Sequence, residues 1–304
     1  MNQILVIGSY NVGLTVFGTR IPKPGETILG THFDMGPGGK GSNQAIAVSR
    51  LGGNIRFMAR LGDDIFGAEA LKLFEQEKMD TRLIQTVPGI HSGVGIIFVD
   101  ENTQNAIGVA SGANFRLTAD DIEEAPDVFA AIRFLLLQLE TPIPTVFAAL
   151  KKAKANGVTT ILNPAPAAPL DDELLKLVDL LTPNETEAEI LTQQPVCNVQ
   201  DAFSAGRLLH RRGVQTVIVT LGEQGCVLVD ETTERHFPAF PVKSVDSTGA
   251  GDAFNGALVT ALAEGMMLHD AIVFASKVAA ISVQHIGVVP GLPRRAEFEE
   301  VQWT

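Results

Sequence analysis

The sequence predicts an α/β fold: a Rossmann-like, doubly wound, mostly parallel sheet flanked by helices, with a small β-sheet lid. Short β-branched apolar runs alternate with longer runs of helical periodicity. The strand-like runs are apolar on both faces, as in buried parallel sheets. The chain has 304 residues and is 45% hydrophobic, which suffices for one large domain over residues 1–304.

The elements of the main sheet follow from these runs. Strands are predicted at Ile4–Ile7, Ile55–Ala59, Phe134–Leu139, Thr159–Leu162, Leu180–Thr182, Thr216–Thr220 and Cys226–Val229. Helices are predicted where apolar residues recur at helical spacing. They cover Ser42–Leu51, Phe66–Gln76, Pro144–Asn156, Asp171–Val178, Glu185–Thr192, Val199–Arg212, Ala253–Glu264 and Leu268–His285.

Two segments depart from this alternation and predict the small sheet. A stretch rich in Gly, Pro and Thr between Leu14 and Met35 includes the alternating "TILGTHFDM". In residues 92–109, "SGVGIIFVD" and "AIGVA" flank the polar turn "ENTQN", which predicts a hairpin. We expect one projecting sheet over about 13–36 and 91–110. Both segments flank glycine-rich stretches, which favours a lid over a pair of surface excursions.

Composition excludes several classes of partner. The net charge of −12 and the lack of a Lys/Arg run argue against nucleic acid. Cys197 and Cys226 lie far apart, so neither a disulfide framework nor a cysteine metal site is expected. The apolar run at the N-terminus is too short for a signal peptide or a membrane span. We therefore expect a cytoplasmic protein that does not bind membranes.

One glycine-rich stretch, "STGAGDAFNGAL", has the build of an anion-binding turn. Gly249, Ala250 and Gly251 lead into a helix, so free backbone N–H groups and small residues would let a phosphate approach. Asp252 then places a carboxylate in this cradle. It is either the N-cap of the helix or a general base that takes a proton from an attacking hydroxyl.

Polar residues elsewhere are candidates for ligand binding. In "GPGGKGSNQA", Lys40 and Asn43 offer donors among four glycines; a flexible turn capped by Ser42 is the alternative. Asn11 follows the first strand, where open α/β sheets bind ligands. Glu140 ends the strand-like run "FLLLQLE" and is either at the same edge or a solvated strand end.

Two further motifs favour nucleotide and metal binding. In "TPNETEAEIL", Asn184 and Glu187 share a helix face, and Thr186 with Glu189 fits a capping box. The remaining carboxylate oxygens could hold Mg²⁺ through water. "VTLGEQGCVLV" is either a simple hairpin or a loop whose Thr and first Gly face phosphates or ribose.

These motifs together resemble a known family. "GPGGKGSNQA" and "DSTGAGDAFNGAL" are similar to the two signature regions of the PfkB, or ribokinase-like, family of ATP-dependent carbohydrate kinases. "GSYNV", "PKPGET", "GDDIFG", "LNPAP", "TPNETEAE" and "VTLGEQG" follow the family's order along nearly the whole chain, and "LNPAPA" and "TPNETEAE" resemble its ribokinase branch. The resemblance implies phosphorylation of a small sugar, with ribose as the main candidate. It also implies a lid that often forms a homodimer interface.

The resemblance also implies roles for individual residues. Asp252 would be the general base, with Gly249, Ala250 and Gly251 as the anion hole. Sugar contacts would come from Asn11, Gly13, Gly39, Lys40, Asn43 and Glu140. ATP contacts would come from Asn184, Thr220, Gly222, Gly225, Gly251 and Ser276, and Glu187 would organise Mg²⁺. A K⁺ site would use Asp246, Thr248, Ser282, His285, Gly287 and Gly291.

Two positions depart from the family pattern. Gly13 stands where the pattern has a sugar-binding Asp, and losing such a carboxylate costs about 2–4 kcal/mol of binding. This predicts weak sugar binding, a compensating group or a different sugar. Gly291 stands where a Ser is expected, which removes one possible K⁺ ligand.

Three kinds of alternative to the ribose assignment are considered. The same fold could phosphorylate fructose, deoxyribose or a nucleoside, although one Tyr and one Trp provide little for a nucleobase wall. A non-catalytic sugar-binding regulator would be expected to have lost the catalytic carboxylate or the anion hole, and both are present. A dehydrogenase is excluded because "GSYNVG" lacks the GxGxxG spacing.

Overall fold

The computed structural model describes residues 3–102 and 104–303, and strands alternate with helices along them. The strands are β1 (Gln3–Ile7), β2 (Asn11–Phe17), β3 (His32–Gly38), β4 (Asn54–Gly62), β5 (Ile84–Val87), β6 (Gly93–Val99), β7 (Asn105–Ala110), β8 (Phe134–Leu137), β9 (Thr159–Leu162), β10 (Leu180–Leu181), β11 (Thr216–Thr220), β12 (Cys226–Val229) and β13 (Glu234–Phe237).

The helices lie mainly between consecutive strands. They are α1 (Lys40–Arg50), α2 (Ile65–Gln76), α3 (Ala119–Glu123), α4 (Pro126–Ala130), α5 (Ile143–Ala155), α6 (Asp172–Leu175), α7 (Glu185–Thr192), α8 (Val199–Arg211), α9 (Ala250–Ala263), α10 (Leu268–Ser282), α11 (Val288–Gly291) and α12 (Arg295–Glu300), with 3-10 turns at Gly112–Arg116 and Gly222–Gln224. Within the two described ranges, no helix is both long and apolar enough to cross a membrane.

The main sheet has the strand order β13-β12-β11-β10-β9-β8-β1-β4-β5. Neighbours from β5 to β11 run parallel, and β12 and β13 are antiparallel. Alternate residues of a strand face opposite sides, so Ile4 and Val6 of β1 enter one apolar core while Leu5 and Ile7 enter the other. Helices cover both cores, which confirms the predicted doubly wound fold.

A smaller sheet has the order β3-β2-β6-β7. The predicted hairpin is the antiparallel pair β6–β7, and Thr103 of its turn lies outside the described residues. β2 pairs antiparallel with β3 and parallel with β6. β2 begins at Asn11, three residues before the predicted segment, so a residue of the first post-strand motif belongs to this sheet.

Differences from the predicted elements lie at ends and edges. The edge strands β5 and β13 and the short helices α3, α4, α11 and α12 were not predicted, because segments of four to six residues carry little periodicity. The predicted helix Asp171–Val178 is limited to α6. The predicted helix Ala253–Glu264 begins earlier, at Ala250, because Gly249 has φ 81° and serves as its N-cap.

Five parallel strands deliver polar residues to one edge of the main sheet. Ser9–Asn11 follows β1, Gln138–Glu140 follows β8, Asn163 follows β9, Thr182–Asn184 follows β10 and Thr220 ends β11. The carboxyl ends of parallel strands meet at the same edge, so these segments lie together.

Candidate active site

Asp252 is the third residue of α9 and is 5% exposed. Its side chain makes no capping bond, so the N-cap alternative is wrong. Instead, Oδ2 accepts a hydrogen bond from Asn43 Nδ2 at 2.8 Å, and Oδ1 accepts one from Gln44 Nε2 at 2.9 Å. Two amides on α1 therefore hold both carboxylate oxygens in one orientation.

A buried amide network supports this carboxylate. Gln44 Nε2 also donates to Asn163 Oδ1 at 3.1 Å, and Asn163 Nδ2 donates to the carbonyl oxygen of Thr182 at 3.1 Å. Gln138 Nε2 donates to Gln44 Oε1. Sequence reasoning missed these residues. One signal was available, since Gln138 is a polar residue inside the apolar run "FLLLQLE" and a buried polar group needs a partner.

The charges of the site are coupled. Burial raises the pKa of Asp252 above its usual value, although the charge of Lys40 and the two amide donors oppose this. Burial alone would lower the pKa of the Lys40 ammonium, but the carboxylates of Asp252, Glu140 and Glu187 raise it. Lys40 therefore stays protonated and partly offsets three negative charges.

Glu140 is hydrogen-bonded to two of the other predicted sugar-binding residues, Asn11 and Lys40. Its Oε2 accepts hydrogen bonds from Asn11 Nδ2 at 3.2 Å, from the Lys40 backbone N–H at 2.8 Å and from the Ser9 hydroxyl. Asn114 Nδ2 donates to Asn11 Oδ1 at 2.8 Å and fixes the orientation of that amide. Glu140 is therefore not a solvated strand end; it joins the ends of β1 and β8 to α1.

Two glycines of residues 36–45, Gly39 and Gly41, are required by chain packing. Gly39 has φ 94°, and a Cβ there would lie 2.6 Å from the backbone nitrogen of Asn11. Gly39, not Ser42, is the N-cap of α1, and the Ser42 hydroxyl donates back to the Gly38 carbonyl at 2.6 Å. Gly13 lies in β2 on the same face as Asn11.

The nucleotide side contains a capping box that differs from the predicted one. Because α7 begins at Glu185, its N-cap is Asn184 and its third residue is Glu187. Glu187 N–H donates to Asn184 Oδ1 at 2.8 Å, and Asn184 N–H donates to Glu187 Oε2 at 2.9 Å. The predicted box of Thr186 and Glu189 is therefore wrong. Burial raises the pKa of Glu187.

The other nucleotide-side residues surround the turn between β11 and β12; they are Thr220, Gly222, Gly225 and Ser276. A Cβ at Gly225 would lie 2.0 Å from a backbone oxygen of β13, so this glycine is required by packing. Ser276 on α10 hydrogen-bonds the thiol of Cys226, and burial raises the pKa of that thiol to about 12. The turn and α10 thus form one wall.

The turn before α9 presents N–H groups. Ala250 N–H donates to the Ser247 carbonyl at 3.2 Å. Within residues 3–102 and 104–303, the N–H groups of Gly249, Gly251 and Asp252 have no acceptor. Apart from its chain neighbours and its own helix, no described part of the chain lies within 4 Å of where a Cβ of Gly251 would stand. Three donors and open space therefore fit an anion at the start of α9.

The predicted K⁺ residues are brought together beside this turn. Asp246 Oδ1 accepts from Thr248 N–H and Oδ2 accepts from Gly287 N–H, each at 2.9 Å. Burial alone would raise the pKa of Asp246, but the hydrogen bonds from Thr248 and Gly287 hold it below its usual value. A Cβ at Gly291 would lie 2.8 Å from the Ser282 carbonyl oxygen, so a side chain there requires a backbone shift. His285 N–H donates to the same carbonyl at 3.3 Å.

Known proteins share this fold and these motifs. The model of the pfkB family carbohydrate kinases matches residues 1–295. The chain is 42% identical to the ribokinase of Haemophilus influenzae over 297 residues, 98% of this chain and 97% of that one. It is 38% identical to the deoxyribokinase of Salmonella typhi over 299 residues, 98% of each chain.

Solved structures agree with the sequence comparison. The ribokinase of Thermotoga maritima matches with a TM-score of 0.88 at 34% identity, covering 98% of each chain. The Arabidopsis thaliana ribokinase complexed with ribose and ATP matches with a TM-score of 0.91 at 30% identity, again over 98% of each chain.

Proposed function

The chain belongs to the pfkB family of carbohydrate kinases, and from this premise we propose that it transfers the γ-phosphoryl group of ATP to a hydroxyl of a small sugar, ribose first. The observation that carries the proposal is the geometry of Asp252. A buried carboxylate with both oxygens oriented lies one residue from N–H groups that have open space before them. This combination suits proton removal beside phosphoryl transfer.

The reaction would proceed as follows at these residues. The attacking sugar hydroxyl forms a bond to the γ-phosphorus while the bond from that phosphorus to the β,γ-bridging oxygen breaks, and ADP leaves. Asp252 accepts the hydroxyl proton. The N–H groups of Gly249 and Gly251 face the charge that the transition state spreads over the phosphoryl oxygens. Asn43 and Gln44 keep the carboxylate aimed at the hydroxyl.

The sugar side has donors and acceptors for hydroxyl groups. We propose that Asn11, Gly39, Lys40, Asn43 and Glu140 contact the sugar. Asn43 Oδ1 is buried and has no hydrogen-bond partner among the described residues. A sugar hydroxyl at this position would satisfy it, because a buried acceptor without a donor is costly.

ATP would lie along the wall formed by the β11–β12 turn and α10, near Asn184, Thr220, Gly222, Gly225 and Ser276. No cluster of three His, Cys, Asp or Glu residues fits a metal in the described parts of the chain. Mg²⁺ would therefore rest on phosphate oxygens and water, with Glu187 reached through water, and would supply charge neutralisation for the phosphates.

K⁺ would bind beside the turn before α9, where it would hold the turn's shape without touching the sugar. Asp246 and the carbonyls of Thr248, Ser282, His285 and Gly287 are the proposed ligands. Hydrogen bonds already join both oxygens of Asp246 to Thr248 and Gly287, and Gly291 offers no side chain. We therefore expect activation by K⁺ to be modest.

The small sheet would act as a lid over about 13–36 and 91–110, closing on the sugar and excluding water. Its other face carries Phe33, Met35 and Ile96, which are 57%, 55% and 51% exposed. An apolar patch of this kind suits a second copy of the chain, so we propose a homodimer through this sheet. A cytoplasmic setting would supply the ATP.

A panel of pentoses, hexoses and nucleosides tests the function. Each is incubated with ATP and Mg²⁺, with and without K⁺, and ADP release is measured. We expect turnover with ribose. If ATP binds by calorimetry but no sugar is phosphorylated, the chain is a non-catalytic sugar-binding protein and the proposal fails.

A further inference from the structure

The first turn of α9 is tied to the residue that follows β10 by two buried side chains. Asn255 Nδ2 donates to the Gly251 carbonyl oxygen at 2.8 Å, and Asn255 Oδ1 accepts from the Thr182 hydroxyl at 2.7 Å. Asn255 and Thr182 are each 1% exposed. Because Asn255 and Thr182 lie 73 positions apart in the sequence, these bonds fix the start of α9 relative to the main sheet.

The Gly251 carbonyl belongs to the peptide unit that also carries the Asp252 N–H. A trans peptide is planar, and its C=O and N–H groups point in opposite directions. A side chain that holds this carbonyl therefore also sets the direction of the N–H. The Asp252 N–H is one of the three groups at the start of α9 that have no acceptor in the described part of the chain. Asn255 thus acts on the proposed anion-binding turn through the backbone.

Thr182 also belongs to the network that holds the proposed base. Its carbonyl oxygen accepts from Asn163 Nδ2 at 3.1 Å. Asn163 Oδ1 accepts from Gln44 Nε2, which also donates to Asp252 Oδ1. The carbonyl of Thr182 is therefore connected to the carboxylate of Asp252, while the hydroxyl of Thr182 is connected to the peptide that carries the Asp252 N–H. One residue after β10 keeps both groups in register.

Stability alone does not require this polar pair. Replacing both partners of a buried hydrogen bond by apolar groups of the same shape is often nearly neutral for the free energy of unfolding. The neighbours of Asn255 on α9, Ala253, Phe254, Ala257 and Leu258, are all apolar and buried. An apolar side chain at position 255 would fill the same space, but it could not donate to the Gly251 carbonyl.

We propose that Asn255 and Thr182 are positioning residues for phosphoryl transfer, which keep the Asp252 N–H aimed at the transferring phosphoryl group. The inference rests on the proposed sugar-kinase function. Neither side chain touches the sugar or the nucleotide in this account. The N–H groups matter most when negative charge develops on the phosphoryl oxygens, so loss of the tie should slow transfer much more than it weakens substrate binding.

The test measures single-turnover phosphoryl transfer to the sugar of the panel that turns over fastest. Thr182→Val removes the hydroxyl at nearly constant shape and leaves the carbonyl in place, so transfer should fall about threefold to tenfold. Thr182→Ser keeps the hydroxyl and should stay within about twofold of the wild type. Asn255→Leu removes the donor to Gly251 and should lower transfer about 10–100-fold.

Thr260→Val is the matched control. Thr260 is also buried and lies on the same helix, but its hydroxyl donates to the Gly256 carbonyl at 2.7 Å, away from the anion-binding turn. The same substitution should therefore lower the free energy of unfolding by a similar amount and leave transfer within about twofold of the wild type. Urea denaturation measures the stability of each variant.

A second readout separates positioning from a general loosening of the fold. Calorimetry measures the affinity for ADP with Mg²⁺ and the sugar, with and without aluminium fluoride, which with ADP forms a mimic of the transferring phosphoryl group. Thr182→Val and Asn255→Leu should lose part of the tightening that fluoride causes, while the affinity for ADP alone changes less than about twofold. The acid limb of the pH profile of kcat/KM should not move, because Asp252 keeps both amide donors.

The outcomes separate the two proposals. If the wild-type chain phosphorylates no sugar, the sugar-kinase function itself fails. If it phosphorylates a sugar but Thr182→Val transfers at the wild-type rate, or loses ADP affinity as much as the fluoride effect, the inference is overturned. A moved acid limb would also overturn it, since the two residues would then act through the base. If Asn255→Leu does not fold, the comparison of Thr182→Val with Thr182→Ser decides alone.

Discussion

The carboxylate proposed as the general base and the small sheet are built in opposite ways. Asp252 is buried, and amides from α1 fix both of its oxygens. The small sheet has a row of three paired glycines on one face, and Phe33, Met35 and Ile96 on its opposite face are about half-exposed. In the proposed function, the chemistry would therefore rest on side chains fixed in the main body of the fold, while assembly would rest on the small sheet.

The largest expected effect on phosphoryl transfer comes from replacing the buried carboxylate. Asp252→Asn keeps the shape and can still accept a hydrogen bond from one of the two amides, but it cannot take the hydroxyl proton, so phosphoryl transfer should fall by about 10²–10⁴-fold. Single-turnover transfer measures the loss, and calorimetry should show that ATP still binds. Transfer at a near-normal rate would remove Asp252 from the role of base.

The next effect concerns a buried charge cluster that ties α1 to α11. Arg50 Nη1 donates to the carbonyls of Val289 and Leu292, each at 2.6 Å, and Arg50 Nη2 donates to Glu77 at 2.7 Å. Arg50→Met leaves Glu77 buried beside only the weaker partner Arg294, at 3.2 Å. The free energy of unfolding should fall by about 3–5 kcal/mol. Urea denaturation measures it, and Lys72→Met, in an exposed pair, should change it little.

The contribution of the same cluster to the free energy of unfolding depends on pH. Burial alone would raise the pKa of the Glu77 carboxyl, but the hydrogen bonds and charges of Arg50 and Arg294 hold this pKa below its usual value. A carboxyl with a lowered folded pKa stabilises the fold above its unfolded pKa and loses this contribution as pH falls through the folded pKa. The stability difference between wild type and Glu77→Gln should therefore shrink on acidification; a constant difference would contradict this account.

A smaller effect is expected from the amide network. Gln44→Leu removes a donor to Asp252 Oδ1, so the pKa of Asp252 should rise further. The base works only when ionised, so the acid limb of the pH profile of kcat/KM should move to higher pH. We expect about a tenfold loss at neutral pH. Gln138→Leu, one hydrogen bond further away, should shift the limb less; an unmoved limb in Gln44→Leu would show that the network does not tune the base.

The smallest effect on turnover should come from the outer face of the small sheet. Met35→Glu places a charge in the proposed dimer interface, so light scattering should show monomers while kcat changes little. Leu29→Glu, at a residue that is 92% exposed and outside the strands, is the control and should leave the dimer intact. A Met35→Glu protein that remains dimeric would place the interface elsewhere.

Local patterns explain why much of the fold could be predicted. A polar turn between two strand-like runs placed the β6–β7 hairpin. Apolar runs placed β1, β9 and β11, because a strand buried on both faces has no polar position to spare. The capping box of α7 was predicted two residues too late, at Thr186 instead of Asn184. "TPNETEAE" contains two residue pairs with the right spacing, and only the actual start of α7 at Glu185 selects Asn184 with Glu187.

By itself the sequence determined the fold class and singled out the residues proposed to carry the chemistry, since Asp252 and its glycines are contiguous and a phosphate-binding turn is a local structure. Only the tertiary structure decided what holds that carboxylate. Gln44 is hydrogen-bonded to Gln138, 94 residues away in the sequence, and to Asn163, 119 residues away. No local pattern relates these residues. The row of glycines across the small sheet is decided in the same way. Gly13, Gly36 and Gly95 become one surface only through strand register, which pairing between distant segments sets.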